Sequence, residues 1–251
     1  DKSTPDCVDF CESFAKRGYV TISMNYRLAN NVISFLTSNE TQFETVLKAV
    51  YDAKSAVRFL RKDYVNGNIY GIDTSTIFVG GYSAGGVIAI HQAYIDAIND
   101  LPTSFVDNNG SILNFQNLAT TISGIHGLEG DAGNYGFSSK VSGVISYAGG
   151  IHDVGWIDEF DEPLVSAHGT SDLTVNYNCG PGQNNPLVIT LCGSGEMQPQ
   201  ASLVGINNDA LIFSNEGHSW AVSGNANPKF VQANNFTSDF LFPLLPCNTI
   251  T

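Results

Sequence analysis

Ile77-Phe78-Val79-Gly80-Gly81-Tyr82-Ser83-Ala84-Gly85-Gly86 is the stretch on which the reading of this 251-residue chain turns. A β-branched and aromatic run ends in glycines, a serine stands on the bend, and Val87-Ile88-Ala89-Ile90-His91-Gln92-Ala93 continues as a helix. That is strand, sharp turn, helix, with Gly81-Tyr82-Ser83-Ala84-Gly85 fitting G-x-S-x-G. The bend calls for tiny residues two before and two after the serine. Its backbone is strained, and side chains there would collide with the neighbouring strand and helix. The turn raises the Ser83 hydroxyl at the C-terminal edge of a sheet and aims the Ala84 N–H, a candidate oxyanion donor, into the same space. Tyr82 is expected to line the substrate site. In a chain with 25 glycines the five residues alone also fit a loop closing a buried strand, so context decides.

The context is two more strand ends. Pro163 to Gly169 reads as a strand and runs into His168-Gly169-Thr170-Ser171-Asp172. Ala210 to Phe213 reads as the last strand and is followed by Glu216-Gly217-His218. Asp172 and His218 therefore stand on equivalent loops, and Ser83, Asp172, His218 follow one of the chain orders in which a nucleophile, acid and base constellation occurs. His218 would take the proton of Ser83, and Asp172 would hold the imidazole in one tautomer and stabilise its cation. Asp153 and Asp158 follow the preceding strand, Val141 to Tyr147, and are weaker acid candidates. His168 reads as a structural residue at its strand end and His91 as a helix residue. His126 and His152, on loops, are candidate pocket residues.

Around these elements the pattern is regular. A first helix is signalled from Thr4-Pro5-Asp6 to Lys16-Arg17-Gly18, and Tyr19 to Tyr26 reads as a strand. Thr41 to Asp63 is the clearest helix, with Phe43, Val46, Leu47, Val50, Val57 and Leu60 in helical period and Thr41 with Glu44 as a capping box. From about 98 to 140 the period fades, as expected of a lid or binding insertion. A second, irregular insertion spans about 176–205, and Pro228 to Leu245 reads as the final helix. Alternating strands and helices imply one α/β domain over residues 1–251. Its sheet is mostly parallel and doubly wound, with helices on both faces and the site beyond the strands' C-terminal ends.

Composition narrows the function classes. A net charge of −13 and a pI near 4.5 argue against nucleic acid or anionic membranes as partners, and no apolar run approaches the ~20 residues of a membrane span. Among the five cysteines, Cys7, Cys11, Cys179, Cys192 and Cys247, no C-x-x-C pair and no Cys/His spacing suits zinc, so neither a metal nor a cofactor is expected. Cys179 and Cys192 bracket a Gly/Pro/Asn loop and are expected to pair. Five reduced, buried thiols are the competing reading. Cys7 and Cys11 lie one helical turn apart, and an odd number leaves one thiol over. Three Asn-x-Ser/Thr sequons, at Asn39, Asn109 and Asn235, and a surface rich in Asn, Ser, Thr and Gly fit a secreted or periplasmic protein.

Taken together, Gly18-Tyr19-Val20 through Tyr26-Arg27-Leu28, Asp52 to Leu60, Gly81 to Gly86, His168 to Asp172 and Gly217-His218 resemble the carboxylesterase-type α/β-hydrolases, including the acetyl-esterase-like group. The resemblance spans most of the chain. It implies hydrolysis of small-molecule carboxylic esters, of small or medium acyl groups, through an acyl-enzyme on Ser83. A prolyl-type serine peptidase and a catalytically silent binding module are the other readings of the same fold. Asn176 follows Val175 where similar sequences often carry proline. Such relatives also carry a His-Gly-Gly-Gly-type loop after the third strand that supplies the second oxyanion donor, and these 251 residues contain none. The expectation is that the N-terminal strands are missing here. They and that loop, about 40 to 70 residues, would belong to an upstream segment of the same polypeptide, with Asp1 an internal or processed start.

Overall fold

Runs of small and β-branched residues make the centre of the molecule: Gly143–Tyr147 and Leu164–Gly169 are buried at every position, as strands covered on both faces must be. The computed structural model describes residues 2–246. Asp1, which carries the expectation of a processed start, and Cys247, one of the five cysteines, lie outside the described residues. In chain order the elements are α1 Pro5–Ala15, α2 Val32–Thr37, α3 Asn39–Val65, β1 Phe78–Tyr82, α4 Ala84–Tyr94, β2 Phe105–Val106, β3 Ile112–Leu113, α5 Phe115–Ser123, β4 Gly143–Tyr147, β5 Leu164–Gly169, β6 Cys179–Pro181, β7 Thr190–Cys192, α6 Ser194–Val204, β8 Asn208–Phe213 and α7 Pro228–Leu241.

The main sheet has the order β1-β4-β5-β8 and every pairing in it is parallel. Side chains alternate between its faces. Val144 and Leu164 point into a core built with α3, α4, α5 and α6. Ile145, Tyr147, Val165 and Ala167 point into a second core with Phe14 of α1 and Phe230, Ala233 and Leu241 of α7. The result is a mostly parallel sheet with helices around it, the α/β-hydrolase arrangement that the resemblance implies. Two short antiparallel hairpins, β2–β3 and β6–β7, stand apart from it. In the second, Cys179 faces Cys192 and the two are joined by a disulfide, while Cys7 and Cys11 are free thiols.

Four local expectations are corrected. Tyr19 to Tyr26 forms no strand ladder among the described residues. Its polar groups go to helices instead: the Tyr19 N–H to Phe14 O, the Thr21 hydroxyl to Cys11 O and, just beyond, the Arg27 N–H to Asp52. The long helix starts earlier than Thr41, with Ser38 as its cap accepting from the Thr41 N–H. The insertion at about 176–205 is not irregular throughout, because α6 runs from Ser194 through Pro199 to Val204 and Gly205, at a φ of 87°, caps it. Asn39 is buried and bonded to Gln42 and Leu187 O, so its sequon is closed to glycosylation.

The region from 98 to 140 is held to α3 by cations. Arg58, only 1% exposed, donates to Gly133 O, Glu129 O and the Glu129 carboxylate. Lys54, also buried, donates to Leu128 O at 2.9 Å and to Ile95 O at 3.4 Å. Arg27 bridges Asp52 on α3 to Asp131. Burial pushes the Lys54 ammonium down to about 8, against the pull of Glu129. Because Lys54 binds its proton less tightly folded than unfolded (~10.4), the unfolded chain carries more protons between those values and stability rises with pH across that window. The unfolding free energy measured in urea should therefore rise by about 2 kcal/mol more in the wild type than in Lys54→Met between about pH 7.5 and 9.5; equal slopes would show that this ammonium is not desolvated in the folded chain.

Candidate active site

The site is assembled from three strand ends. β1 delivers Ser83 directly, at φ 56° and ψ −120°, a conformation that L-residues rarely adopt. It survives because the backbone is packed without side chains in between. A Cβ on Gly81 would lie 2.4 Å from the Gly85 carbonyl carbon, and one on Gly86 would lie 3.0 Å from the Gly149 Cα. The Ser83 N–H is fixed by Tyr147 O at 2.8 Å and its own carbonyl accepts from Val87. Ala84 opens α4, so its N–H is one of the first-turn donors that lack a partner within the helix, at the positive end of the helix dipole.

The loops after β5 and β8 are stitched to each other before they reach Ser83. The Thr170 N–H donates to Phe213 O, the Ser171 N–H to Glu216 O and the Asn215 N–H to the Thr170 hydroxyl. Gly169 has no room for a Cβ, which would lie 2.3 Å from Glu216 O. This brings His218 Nε2 to 2.8 Å from Ser83 Oγ and His218 Nδ1 to 2.7 Å from Asp172 Oδ2. Because a carboxylate only accepts, Nδ1 carries the proton and Nε2 faces the serine as an acceptor. Asp172 is buried and its other oxygen accepts from the N–H groups of Thr174 and Val175. Burial alone would raise its pKa, but hydrogen bonds from His168 and then His218 outweigh that and hold the carboxyl well below the usual carboxylate range.

The other expected residues are dispersed. The Tyr82 hydroxyl donates to His218 O at 2.8 Å, and its ring stacks on the imidazole with centroids 5.3 Å apart, so it lies beneath the histidine. His152 sits in the wall of an apolar cavity of about 90 Å³ together with Val87, one turn along α4 from Ser83, and with Phe35, Phe115, Trp156 and Leu191. His126 is instead stacked on Tyr135 at 3.6 Å, beside Arg58. Asp153 and Asp158 serve local turns, accepting from Gly155 and Phe160. His91, pushed down to about 4 by burial, donates from Nδ1 to Val87 O and accepts from the His152 N–H. Missed by sequence reasoning are the Tyr82 contact and the place of His168, whose Nε2 lies 3.3 Å from Asp172 Oδ2. The four-residue spacing of His168 and Asp172 was the only trace of that contact in the sequence.

Comparison with known proteins places this geometry in a wider group. The BD-FAE family model matches residues 1–187, a span that includes Ser83 and Asp172 and ends before His218. No curated protein matches the chain. Among solved structures, the apo form of Thermogutta terrifontis esterase 2 superposes with a TM-score of 0.60 at 19% identity, over 93% of this chain and 75% of its own. The same esterase phosphoramylated by tabun gives 0.60 at 20% identity over the same shares. A bifunctional GH43-CE of Bacteroides eggerthii gives 0.59 at 17% identity, over 93% of this chain and 29% of its own. At these identities the likeness is one of fold.

The packing at the bend separates its two flanking glycines. A Cβ on Gly85 would meet nothing within 4 Å, which corrects the symmetric requirement read from the motif. Gly81→Ala should abolish labelling of Ser83 by a fluorophosphonate while the protein remains folded by circular dichroism; Gly85→Ala should label at close to the wild-type rate. Similar behaviour of the two variants would show that the bend is not held by this one-sided contact.

Proposed function

The chain belongs to the BD-FAE family, an α/β-hydrolase-like family, and from that premise and the geometry of its site we propose that it is a serine carboxylic-ester hydrolase. The observation that carries the reading is the unbroken hydrogen-bonded line Asp172–His218–Ser83, with the serine on a positive-φ bend at the mouth of a helix. In the reaction, His218 Nε2 takes the proton as Ser83 Oγ adds to the ester carbonyl, and Asp172 stabilises the resulting imidazolium. The Ala84 N–H donates to the developing oxyanion at the N-terminus of α4. His218 returns the proton to the departing alcohol, leaving an acyl-enzyme on Ser83. Water, deprotonated by the same imidazole, then releases the acid.

The apolar cavity beside Val87 takes the acyl group. Its volume of about 90 Å³ is below the ~150 Å³ that accommodates a benzene ring, which suits short acyl chains. The Thermogutta esterase with a likeness of fold has also been seen with propionate and butyrate bound. We assign the second oxyanion donor to an upstream segment of the same polypeptide. What supports this is an edge: among the described residues β1 pairs only with β4, and the Tyr19–Tyr26 stretch, with Val20 and Ile22 half-exposed, has no ladder partner. Secretion fits the Cys179–Cys192 disulfide, and no helix among the described residues is long and apolar enough to cross a membrane.

p-Nitrophenyl acetate and butyrate should be turned over, and the decanoate poorly. Ser83→Ala should cost on the order of 10⁴-fold or more in kcat, and Asp172→Asn somewhat less. Undiminished turnover by Ser83→Ala would end the proposal. Adding the upstream residues should raise kcat by about 10²-fold or more, the contribution of one oxyanion donor; equal kcat with and without them would place that donor within residues 1–251.

A further inference from the structure

The carboxylate of Asp172 is shared between two imidazoles. His218 reaches Oδ2 from the Ser83 side at 2.7 Å, and His168, four residues back on β5 and with no exposed surface, reaches the same oxygen at 3.3 Å. His168 is held at both ends of its ring. Nε2 lies 2.9 Å from Val175 O, while Nδ1 lies 3.2 Å from Ser194 Oγ and 3.4 Å from the Ser194 N–H. A backbone carbonyl only accepts and a backbone N–H only donates, so the proton is on Nε2, which gives it to Val175 O while Asp172 Oδ2 lies 3.3 Å from the same nitrogen.

Behind the ring stands the start of α6. Ser194 is its first residue, buried and two positions after the disulfide-bonded Cys192. Gly193 between them has no space for a side chain, since a Cβ would lie 2.2 Å from Asn176 O and 2.7 Å from His168 Cε1. The Gly193 N–H is tied to Asn178 O and the Gly195 N–H to Tyr177 O. The ring is thus pressed from behind by a cross-linked hairpin and a helix end, and from the side by Tyr177, edge-on at 5.8 Å.

We propose that His168 is a positioning residue for the catalytic acid: its Nε2–H, oriented by Ser194, fixes the Asp172 carboxylate and takes part of Oδ2, so that the grip of Asp172 on His218 is set from α6 and the disulfide-closed hairpin. The inference rests on the reading of Asp172, His218 and Ser83 as the catalytic line. His168 touches neither Ser83 nor the space in front of it. The depressed pKa of Asp172, to which the His168 hydrogen bond contributes, agrees with a donor that stabilises the charged carboxylate. The titratable groups facing this pair are His218 with Tyr82 stacked on it, and Tyr177 behind His168. With the His168 donor gone, Oδ2 would serve His218 alone and bind its cation more strongly, and the carboxylate would be less firmly oriented.

The test pairs two amides at this position, with active sites counted by fluorophosphonate titration so that misfolded protein does not enter kcat. His168→Asn keeps a polar group against Ser194 but ends short of Val175 and Asp172. His168→Gln places an amide N–H where the Nε2–H stood. His168→Asn should lower kcat by about 10- to 100-fold with KM within about twofold, and move the ascending limb of the kcat/KM pH profile to higher pH; His168→Gln should restore both. A wild-type kcat and limb in titrated His168→Asn, even with a lowered Tm, would overturn the proposal and leave His168 as packing. If His168→Asn does not fold, Ser194→Ala decides, with a limb shift of the same sign expected and an unmoved limb overturning the proposal. Asp172→Asn serves as the control: wild-type activity there would remove the catalytic line itself, whereas a crippled Asp172→Asn beside an unaffected His168→Asn would remove only the inference.

Discussion

Everything in this molecule is fitted around a bend that tolerates no side chain on its inner face. Gly81 lies against Gly85, and Gly86 lies against Gly149 at the exit of β4, so the strand that carries Ser83, its helix and the neighbouring loop meet backbone to backbone. That contact holds Ser83 at a φ of 56°, which an isolated chain would abandon at a gain of order 1–3 kcal/mol. The surrounding parallel sheet supplies the restraint: β4 and β5 are buried at every residue, and the Ser83 N–H is fixed by Tyr147 of β4. Strain at the serine and rigidity of the sheet are two sides of one arrangement.

The same logic of backbone contact governs Asp172 and His218. Their loops are joined by hydrogen bonds between Thr170, Ser171, Phe213, Asn215 and Glu216, so Asp172 and His218 stand on one hydrogen-bonded unit. The carboxylate between them is saturated, with two backbone donors on one oxygen and two imidazoles on the other. Such saturation makes a buried charge affordable in an apolar interior. It also ties the site to the β6–β7 hairpin, whose Val188, Ile189 and Leu191 line the apolar cavity beside Val87 on the other side. One insertion thus touches the site from two directions.

Away from the site, α3 carries a burden unusual for a surface-seeking composition. Arg58 and Lys54 are buried and capture backbone carbonyls of the segment between Leu128 and Gly133. Such a segment has few apolar residues with which to bury itself, and cations on a rigid helix replace the core it lacks. The expectation of a fading hydrophobic period from 98 to 140 describes the cause. The ordered path that the segment follows is the consequence of those side chains reaching it.

The sequence by itself determined the alternation of strands and helices, the glycine-bounded serine bend and the placement of an aspartate and a histidine on two later strand ends. Those features are local: propensity, period and turn chemistry are written in adjacent residues. It also raised the expectation that Cys179 and Cys192 pair across a loop too polar to hold itself, and the structure chose that over five reduced thiols. Only the tertiary structure decided that Tyr19 to Tyr26 joins no ladder among the described residues, because pairing depends on what runs alongside and not on β-branched content. Only it placed Tyr82 beneath the His218 ring, His152 in a cavity wall and His126 against Tyr135, because loops of similar composition go where distant partners hold them. His168 is the clearest case. The sequence marks it as a strand-end residue, and its spacing from Asp172 is visible, but the direction of its N–H is set by Ser194, 26 residues further on. A hydrogen bond of that kind exists only once α6 has packed behind β5.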